Sequence, residues 1–436
     1  MNSTQTQGPS HAGWPLFFAL SHLSLYLRLA SRTATLAAVA DTPVFLADLA
    51  VALLEAASAT PTRNFDVLRH GDEGPPWLLR TREALTDARR ALCRSLGLTP
   101  TGGAKRTAKR IARLADIVKD QDQWQAIYTS LDDDRSRRLL IALLAYRVLG
   151  RRHVRLPTNT TDYWRAESRA RGPLRTRRRV RRINALDGWL DEFDLAPIGA
   201  PLRLTVHAMN ILQIFLLEQY RWRGGDNDIA PRDGDVVIDA GACWGDTALW
   251  FAHRVGRGGR VVSLEFMPDN LAIFRDNLSR NPDLASRISI VEHALWGESG
   301  ANVSTTGAGP GGRLQDPATA HASALPGADA ATTITIDDLV EREQLSRVDF
   351  IKMDIEGAEL PSLRAAVKTL RRFRPRLAIC IYHSLAEMHS IPQFIRSLDL
   401  GYRLHLGHAS IHDEETVLFA DTAISGHTHS GEPLAG

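Results

Sequence analysis

The sequence predicts an α/β fold, a doubly wound parallel sheet preceded by a mostly helical N-terminal region. Three observations carry this prediction. After Gly234, short β-rich runs alternate with helix-like segments, the pattern of parallel strands joined by crossover helices. The first of these runs passes through a glycine-rich turn into a helix, "VVIDAGACWGDTALWFAHRVG", which lets backbone approach a ligand at the carboxyl edge of a sheet. Upstream, apolar residues recur at helical spacing, in Leu36 to Ala56 and in "RRLLIALLAYRVLG", Arg137 to Gly150.

A chain of 436 residues is too long for one ordinary core and long enough for two domains. The change of pattern divides it into a helical domain at 1–200, a second domain at 201–421 and a flexible tail at 422–436. In the first, Asp132, Asp133 and Asp134 precede the Arg137 helix, where acids suit a helix N-terminus. "LTVHAMNILQIFLLEQYRW", Leu204 to Trp222, reads as a largely buried helix leading into the second. The strands there are "DVVIDAG", "RVVSLEF", "RISIVEHALW", "VDFIKMDI" and "RLAICIYH", and "YRLHLGHA" with "ETVLFA" forms a terminal hairpin. The Gly/Ala/Pro-rich segment from Ser299 to Ala331 reads as a long surface loop or lid.

Composition excludes several classes. With 44% hydrophobic and 24% charged residues, the chain is that of an ordinary globular protein. A net charge of +3 is too small to mark the whole molecule as a polyanion binder. Cys93, Cys243 and Cys380 are far apart with no CxxC pair, which argues against a disulfide framework or zinc cluster. The apolar run Trp14 to Ala30 is broken by His22 and Arg28 and lacks a preceding positive charge. It reads as a packed or interfacial amphipathic helix, not a secretory signal or membrane span. A cytoplasmic protein is expected.

The glycine turn has the spacing D-x-G-x-x-x-G and lacks the third glycine of a dinucleotide fingerprint. Its strand ends in Asp239, and a carboxylate suits an ammonium or sulfonium better than a pyrophosphate. The next strand ends in Glu265, 26 residues later, where one carboxylate can accept both hydroxyls of a ribose. Together they describe S-adenosylmethionine, a nucleoside with a cationic end and no phosphate.

"VIDAGACWGDTALWFA", "LEFMPDN", "TITIDDL", "VDFIKMDIEGAE" and "LAICIYHS" occur in that order, and together they resemble the FkbM family of S-adenosylmethionine-dependent methyltransferases from about Asp233 to Ala420. The resemblance implies a seven-stranded methyltransferase sheet and, commonly, methyl transfer to a hydroxyl oxygen. Many members carry Asn or His where this chain has Cys243. By position, Asp239, Gly241 and Gly245 would line the methionine end, with Ala240, Ala242, Asp246 and Thr247 around them. Glu265, with Phe266 beside it, would take the ribose, and Ala294 the adenine.

Methyl transfer from a sulfonium depends largely on alignment, and a positioned base assists removal of the hydroxyl proton. "IKMDIEGAE", Ile351 to Glu359, sets carboxylates at the carboxyl end of the fourth strand. Period two puts Lys352, Asp354 and Glu356 on one side. A lysine in a central parallel strand needs a partner, and Asp354 is the nearest one. A structural ion pair is preferred for Lys352 over a role in tuning the acid. Asp354 is the first choice for acid/base or acceptor-positioning work and Glu356 the second. Glu359 reads as a helix opener. His383, ending the fifth strand, is a further catalytic candidate; His405, His408 and His412 are weaker ones. A divalent metal bridging the acids is the lesser reading, because no second carboxylate cluster accompanies them.

Arg151 to Arg182 holds twelve arginines and two acids. Only five of the chain's 53 basic residues are lysine, so arginine is its usual cation. The stretch therefore reads as a solvated helix face or a docking site for an anionic acceptor, not a nucleic-acid module. The turn of base-amino methylation and a Pro-Cys nucleophile are both missing. The expected function is O-methylation of a small molecule, natural product or glycan. The alternatives are an RNA ribose methyltransferase using the arginine stretch, or a cofactor-binding interaction protein without turnover.

Overall fold

The computed structural model describes residues 43–58, 103–225, 227–306, 309–314 and 330–422. The apolar run at Trp14 to Ala30, Cys93, the middle of the long insertion and the expected tail after 422 lie outside the described residues. By its contacts the chain forms two compact units. One comprises Met1–Ser130, Arg137–Asn159 and Ile411–Asp413; the other comprises Leu131–Ser136, Thr160–Ser410 and Glu414–Gly436.

The first unit is helical where it is described. Helices Val44–Ser58, Gly103–Lys119 and Gln121–Ser130 precede a long helix, Asp134–Leu149. Phe45 and Trp124, both fully buried, stack with ring centroids 6.3 Å apart. Leu140, Leu143 and Leu144 are equally buried, as the apolar run around them requires. No described helix is long and apolar enough to cross a membrane.

The main segment of the second unit, from Thr160, opens with helix Thr161–Arg171, whose N-cap Thr160 accepts from Tyr163 N–H. Helical structure stops there. Gly172 and Pro173 follow, and the arginine run becomes strand β1 (Arg175–Arg182) of an antiparallel sheet with β2 (Trp189–Asp194) and β3 (Arg203–Val206). The expected solvated helix face is thus half right. Its second half is an edge strand, because the run has no apolar period to bury and its cations find cross-strand partners. Arg175 pairs with Asp191 at 3.0 Å and Arg177 lies 3.9 Å from Glu192.

The Leu204–Trp222 segment also differs from a single helix. Its start belongs to β3; Ala208–Asn210 is α-helical, Ile211–Leu216 widens into a π-helix, and Trp222 begins β4 (Trp222–Gly224), which pairs with β5 (Asn227–Ile229). Ile211, Leu212, Ile214 and Phe215 are buried, so the segment is buried as its composition demands.

Strands β6 (Val236–Ala240), β7 (Arg260–Leu264) and β8 (Ile288–Val291) come next, and then four short strands. These are β9 (Ala294–Leu295), β10 (Asn302–Thr306), β11 (Arg313–Leu314) and β12 (Ala330–Ile334), in the order β11-β10-β12-β9. The insertion is therefore partly a small sheet and not loop throughout. β13 (Phe350–Met353), β14 (Arg376–Cys380), β15 (Tyr402–His408) and β16 (Thr416–Thr422) are the last strands among the described residues.

The large sheet has seven strands in the order β15-β16-β14-β13-β6-β7-β8. β8, β7, β6, β13 and β14 run parallel; β15 and β16 form the expected antiparallel hairpin at one edge. Central strands are buried on both faces and read as continuous apolar runs. The chain steps from β6 to β7 and β8 on one side and to β13 and β14 on the other, so a switch point lies between β6 and β13. Ligands of such sheets bind outside the carboxyl ends of the strands at that crevice.

Candidate functional site

Every residue expected in the site from β6 onward follows the carboxyl end of a parallel strand or lies within a residue or two of it. The β6 turn is built on two glycines with φ of +79°. At Gly241 a Cβ would lie 2.0 Å from the Asp354 carbonyl oxygen, and at Gly245 it would lie 2.0 Å from the Phe274 ring. No larger residue fits either position, and the first contact brings the β6 turn directly against the β13 turn.

Around this turn Ala240 and Ala242 are fully buried. Asp239 is buried as well; its Oδ2 accepts from Thr247 Oγ1 at 2.9 Å and Ser263 Oγ at 3.3 Å. Asp246 opens the following helix and accepts from Asn210 Nδ2 at 2.7 Å. Burial pushes its pKa up to about 6, against the opposing hydrogen bond from Asn210. Burial also pushes the Cys243 thiol well up.

Glu265 follows β7 and is 6% exposed. Oε1 accepts two backbone N–H groups, from Phe266 at 2.7 Å and Met267 at 2.8 Å. Oε2 accepts from Asn270 Nδ2 at 3.2 Å. Burial raises the Glu265 pKa, and these donors oppose it. Ala294 is fully buried with Val303 and Ala331, and Phe266 packs on that cluster. Two residues assigned to opposite parts of one nucleoside thus meet, the second of them in the small sheet.

β13 ends at Met353, so Asp354 and Glu356 lie in the turn beyond it, where Glu356 has a φ of +57°. Lys352 does not pair with Asp354. Its Nζ lies 3.2 Å from Asp239 Oδ1 and donates to the carbonyls of Ala240 (3.1 Å) and Gly241 (2.7 Å). In-register pairing of β13 with β6 sets Lys352 opposite Asp239, a closer partner than the residue two positions along its own strand. Asp239 and Asp354 outweigh burial and raise the Lys352 pKa.

Asp354 is held by two phenols and an imidazole. Tyr220 Oη donates to Oδ2 at 2.9 Å, Tyr382 Oη donates to Oδ1 at 3.1 Å, and His383 Nε2 lies 3.3 Å from Oδ1. Burial would raise this carboxyl's pKa; His383, Lys352 and Tyr220 outweigh it and hold the group well below the usual range. Its side chain keeps a fifth of its surface exposed. His383 Nε2 also lies 3.6 Å from Glu356 Oε1, and Nδ1 lies 3.2 Å from Glu359 Oε1. Burial would lower the His383 pKa, but the three carboxylates drive it far up. Glu359 is fully buried at the start of helix Glu359–Arg364, and it accepts from Ile355 N–H and Gly357 N–H.

The structure therefore brings Asp354, Glu356 and His383 together and turns Lys352 toward Asp239. His405 stands apart, stacked on Trp222 at 3.9 Å and 2.8 Å from Asp133. Tyr220 and Tyr382 escaped the sequence reading. Tyr382 had a usable signal, its place beside His383 after β14; Tyr220, 134 residues from Asp354, had none.

Residues 228–404 match the model of the methyltransferase FkbM domain. No protein of curated function matches the chain. Among solved structures, the methyltransferase FkbM from Methylobacillus flagellatus KT is 19% identical, covering 93% of this chain and 100% of that one at a TM-score of 0.46. Aeropyrum pernix fibrillarin with natively bound S-adenosyl-L-methionine is 13% identical, covering 56% and 100% at 0.29. The precorrin-6y C5,15-methyltransferase of Geobacter metallireducens GS-15 is 18% identical, covering 44% and 84% at 0.25.

Proposed function

We propose, from the match of residues 228–404 to the methyltransferase FkbM domain, that this chain is an S-adenosylmethionine-dependent O-methyltransferase acting on a hydroxyl of a small molecule, natural product or glycan. The observation that carries this reading is Asp354, an ionised and partly open carboxylate set against the glycine turn at the sheet's carboxyl edge.

The residues present fit the cofactor. Glu265 is fixed by three donors, and Oε2, which takes one of them, keeps lone-pair capacity for ribose hydroxyls. Phe266, half-buried and backed by the cluster that contains Ala294, offers an apolar surface for adenine. The turn from Ala240 to Gly245 supplies small residues for close backbone approach. When bound, S-adenosylmethionine supplies an electrophilic methyl group on a sulfonium.

This reading gives Asp354 the acceptor hydroxyl. A carboxyl held this far below its usual range is a weak proton acceptor and a strong hydrogen-bond acceptor. Its part is to orient the oxygen, with Tyr220 and Tyr382 fixing its own orientation. The carboxylates around His383 push its pKa up and favour its charged form, so this reading gives the acceptor to Asp354 and not to His383. Lys352 ties the glycine turn to β13 through the Gly241 carbonyl, a structural duty. Catalysis is assigned to 201–421 and acceptor or partner binding to 1–200. The two described cysteines, Cys243 and Cys380, are free, in keeping with a reducing, cytoplasmic setting.

Purified protein incubated with S-adenosylmethionine and a panel of hydroxylated acceptors tests the proposal, with S-adenosylhomocysteine and O-methyl product read by mass spectrometry. Product from a hydroxylated acceptor is expected. Methylation confined to nitrogen or carbon would overturn the hydroxyl assignment, and absence of cofactor binding would overturn the whole reading.

A further inference from the structure

The acids of the β13 turn outnumber the cation among them. Asp354, Glu356 and Glu359 surround His383 at 3.3, 3.6 and 3.2 Å, so one imidazole faces three carboxylates. Even a charged histidine leaves this largely buried group with excess negative charge, a costly arrangement unless a further cation balances it. Lys352 is not that cation, since its ammonium is committed to Asp239 and two carbonyls.

A second observation points the same way. The His383 side chain is 3% exposed, yet neither ring nitrogen makes a hydrogen bond of acceptable geometry. Buried polar atoms are nearly always satisfied by well-directed bonds, and this imidazole has carboxylates at ion-pair distance but none along a ring N–H direction. One ligand atom each from Asp354, Glu359 and His383 lies within 4.8 Å of the others, close enough for small side-chain shifts to close on one ion. The exposed fifth of Asp354 gives access from solvent.

We propose that Asp354, Glu359 and His383 form a divalent-cation site at the carboxyl edge of β13 and β14, the ion displacing to solvent one imidazole proton of His383, with Glu356 as a neighbouring anionic group. Two carboxylates with one imidazole suit Mn²⁺ and its first-row neighbours better than a soft metal. The sequence offered no second carboxylate cluster to accompany the acids; the fold instead brings His383 to them. Binding at this site rests on no assumption about the methyl acceptor, and it is read without turnover, so it can fail while the methyl-transfer reading stands.

The test is titration of Mn²⁺ into chelator-treated full-length protein, followed by calorimetry and electron paramagnetic resonance. One ion per chain is expected. Asp354→Asn and Glu359→Gln should each weaken it by at least the roughly 10–100-fold that losing even an outer-shell partner costs. Glu359 also accepts two backbone N–H groups, so Glu359→Gln can unfold the turn. Asp354→Asn keeps the shape and the tyrosine contacts and therefore decides the matter once circular dichroism shows it folded. No saturable binding of Mn²⁺, Mg²⁺ or Zn²⁺ to the wild type, or undiminished binding in folded Asp354→Asn, overturns the site.

Discussion

Lys352 and Asp239 face each other across the two strands that flank the switch point, Nζ 3.2 Å from Oδ1, with side chains 1% and 0% exposed. The ammonium donates to the carbonyls of Ala240 and Gly241 and is ion-paired with Asp239. The Tyr220 ring lies 5.2 Å from the same nitrogen.

Removing one partner leaves the other charge buried and alone. Lys352→Met should cost about 3–5 kcal/mol in unfolding free energy, read from urea denaturation. Adding Asp239→Asn should recover part of that loss. A single variant as stable as the wild type would show that the pair carries no such burden.

Glu265→Gln keeps the volume and removes the charge. Cofactor affinity should fall about 10–100-fold, the worth of hydrogen bonds to a charged group, as measured by calorimetry. Unchanged affinity would remove the ribose assignment.

Asp354→Asn should bind S-adenosylmethionine as the wild type does and lose turnover about 10²-fold, the scale of lost alignment. Full activity in that variant would end the role given to Asp354. The depressed pKa adds a stability signature. Asp354's contribution is present above its unfolded value of about 4 and lost as pH falls through the lower folded value. Acid unfolding of Asp354→Asn should therefore lack that component.

Asp246 has the opposite sign. Its folded pKa of about 6 exceeds the unfolded value of about 4, so the folded chain holds the extra proton between them. Stability from this group is fully present below about pH 4 and declines as pH rises through about 6. Asp246→Asn should flatten the thermal stability profile over that window and stabilise the protein at pH 7 by about 1–3 kcal/mol. An unaltered profile would contradict the buried, ionising carboxyl.

Gly241→Ala should fail on two counts, a φ of +79° and a Cβ 2.0 Å from the Asp354 carbonyl. Cofactor binding should be lost or the melting temperature lowered. A variant with wild-type binding and melting would mean that the two turns are not in contact.

Alternation of short strands with helices made the large sheet legible, since parallel strands buried on both faces must be written as apolar runs. The terminal hairpin was readable for the same reason. The positions of residues that end strands were readable too: Glu265, Asp354 and His383 all stand at the carboxyl edge, outside which ligands of such sheets bind. What resisted reading was pairing across strands. The partner of Lys352 depends on the register of β13 against β6, which no local pattern encodes. Tyr220 reaches Asp354 from a π-helical approach that its apolar spacing did not distinguish from an α-helix. The arginine strand offered no period at all.

Tyr220 stands eight residues before the segment that matches the methyltransferase model. An excised piece beginning at 228 would keep the sheet, the glycine turn and Glu265. It would lose one of the two phenols that aim Asp354. If Asp354 has the role proposed for it, a competent fragment is expected to begin upstream of residue 228, where the match to the family model starts.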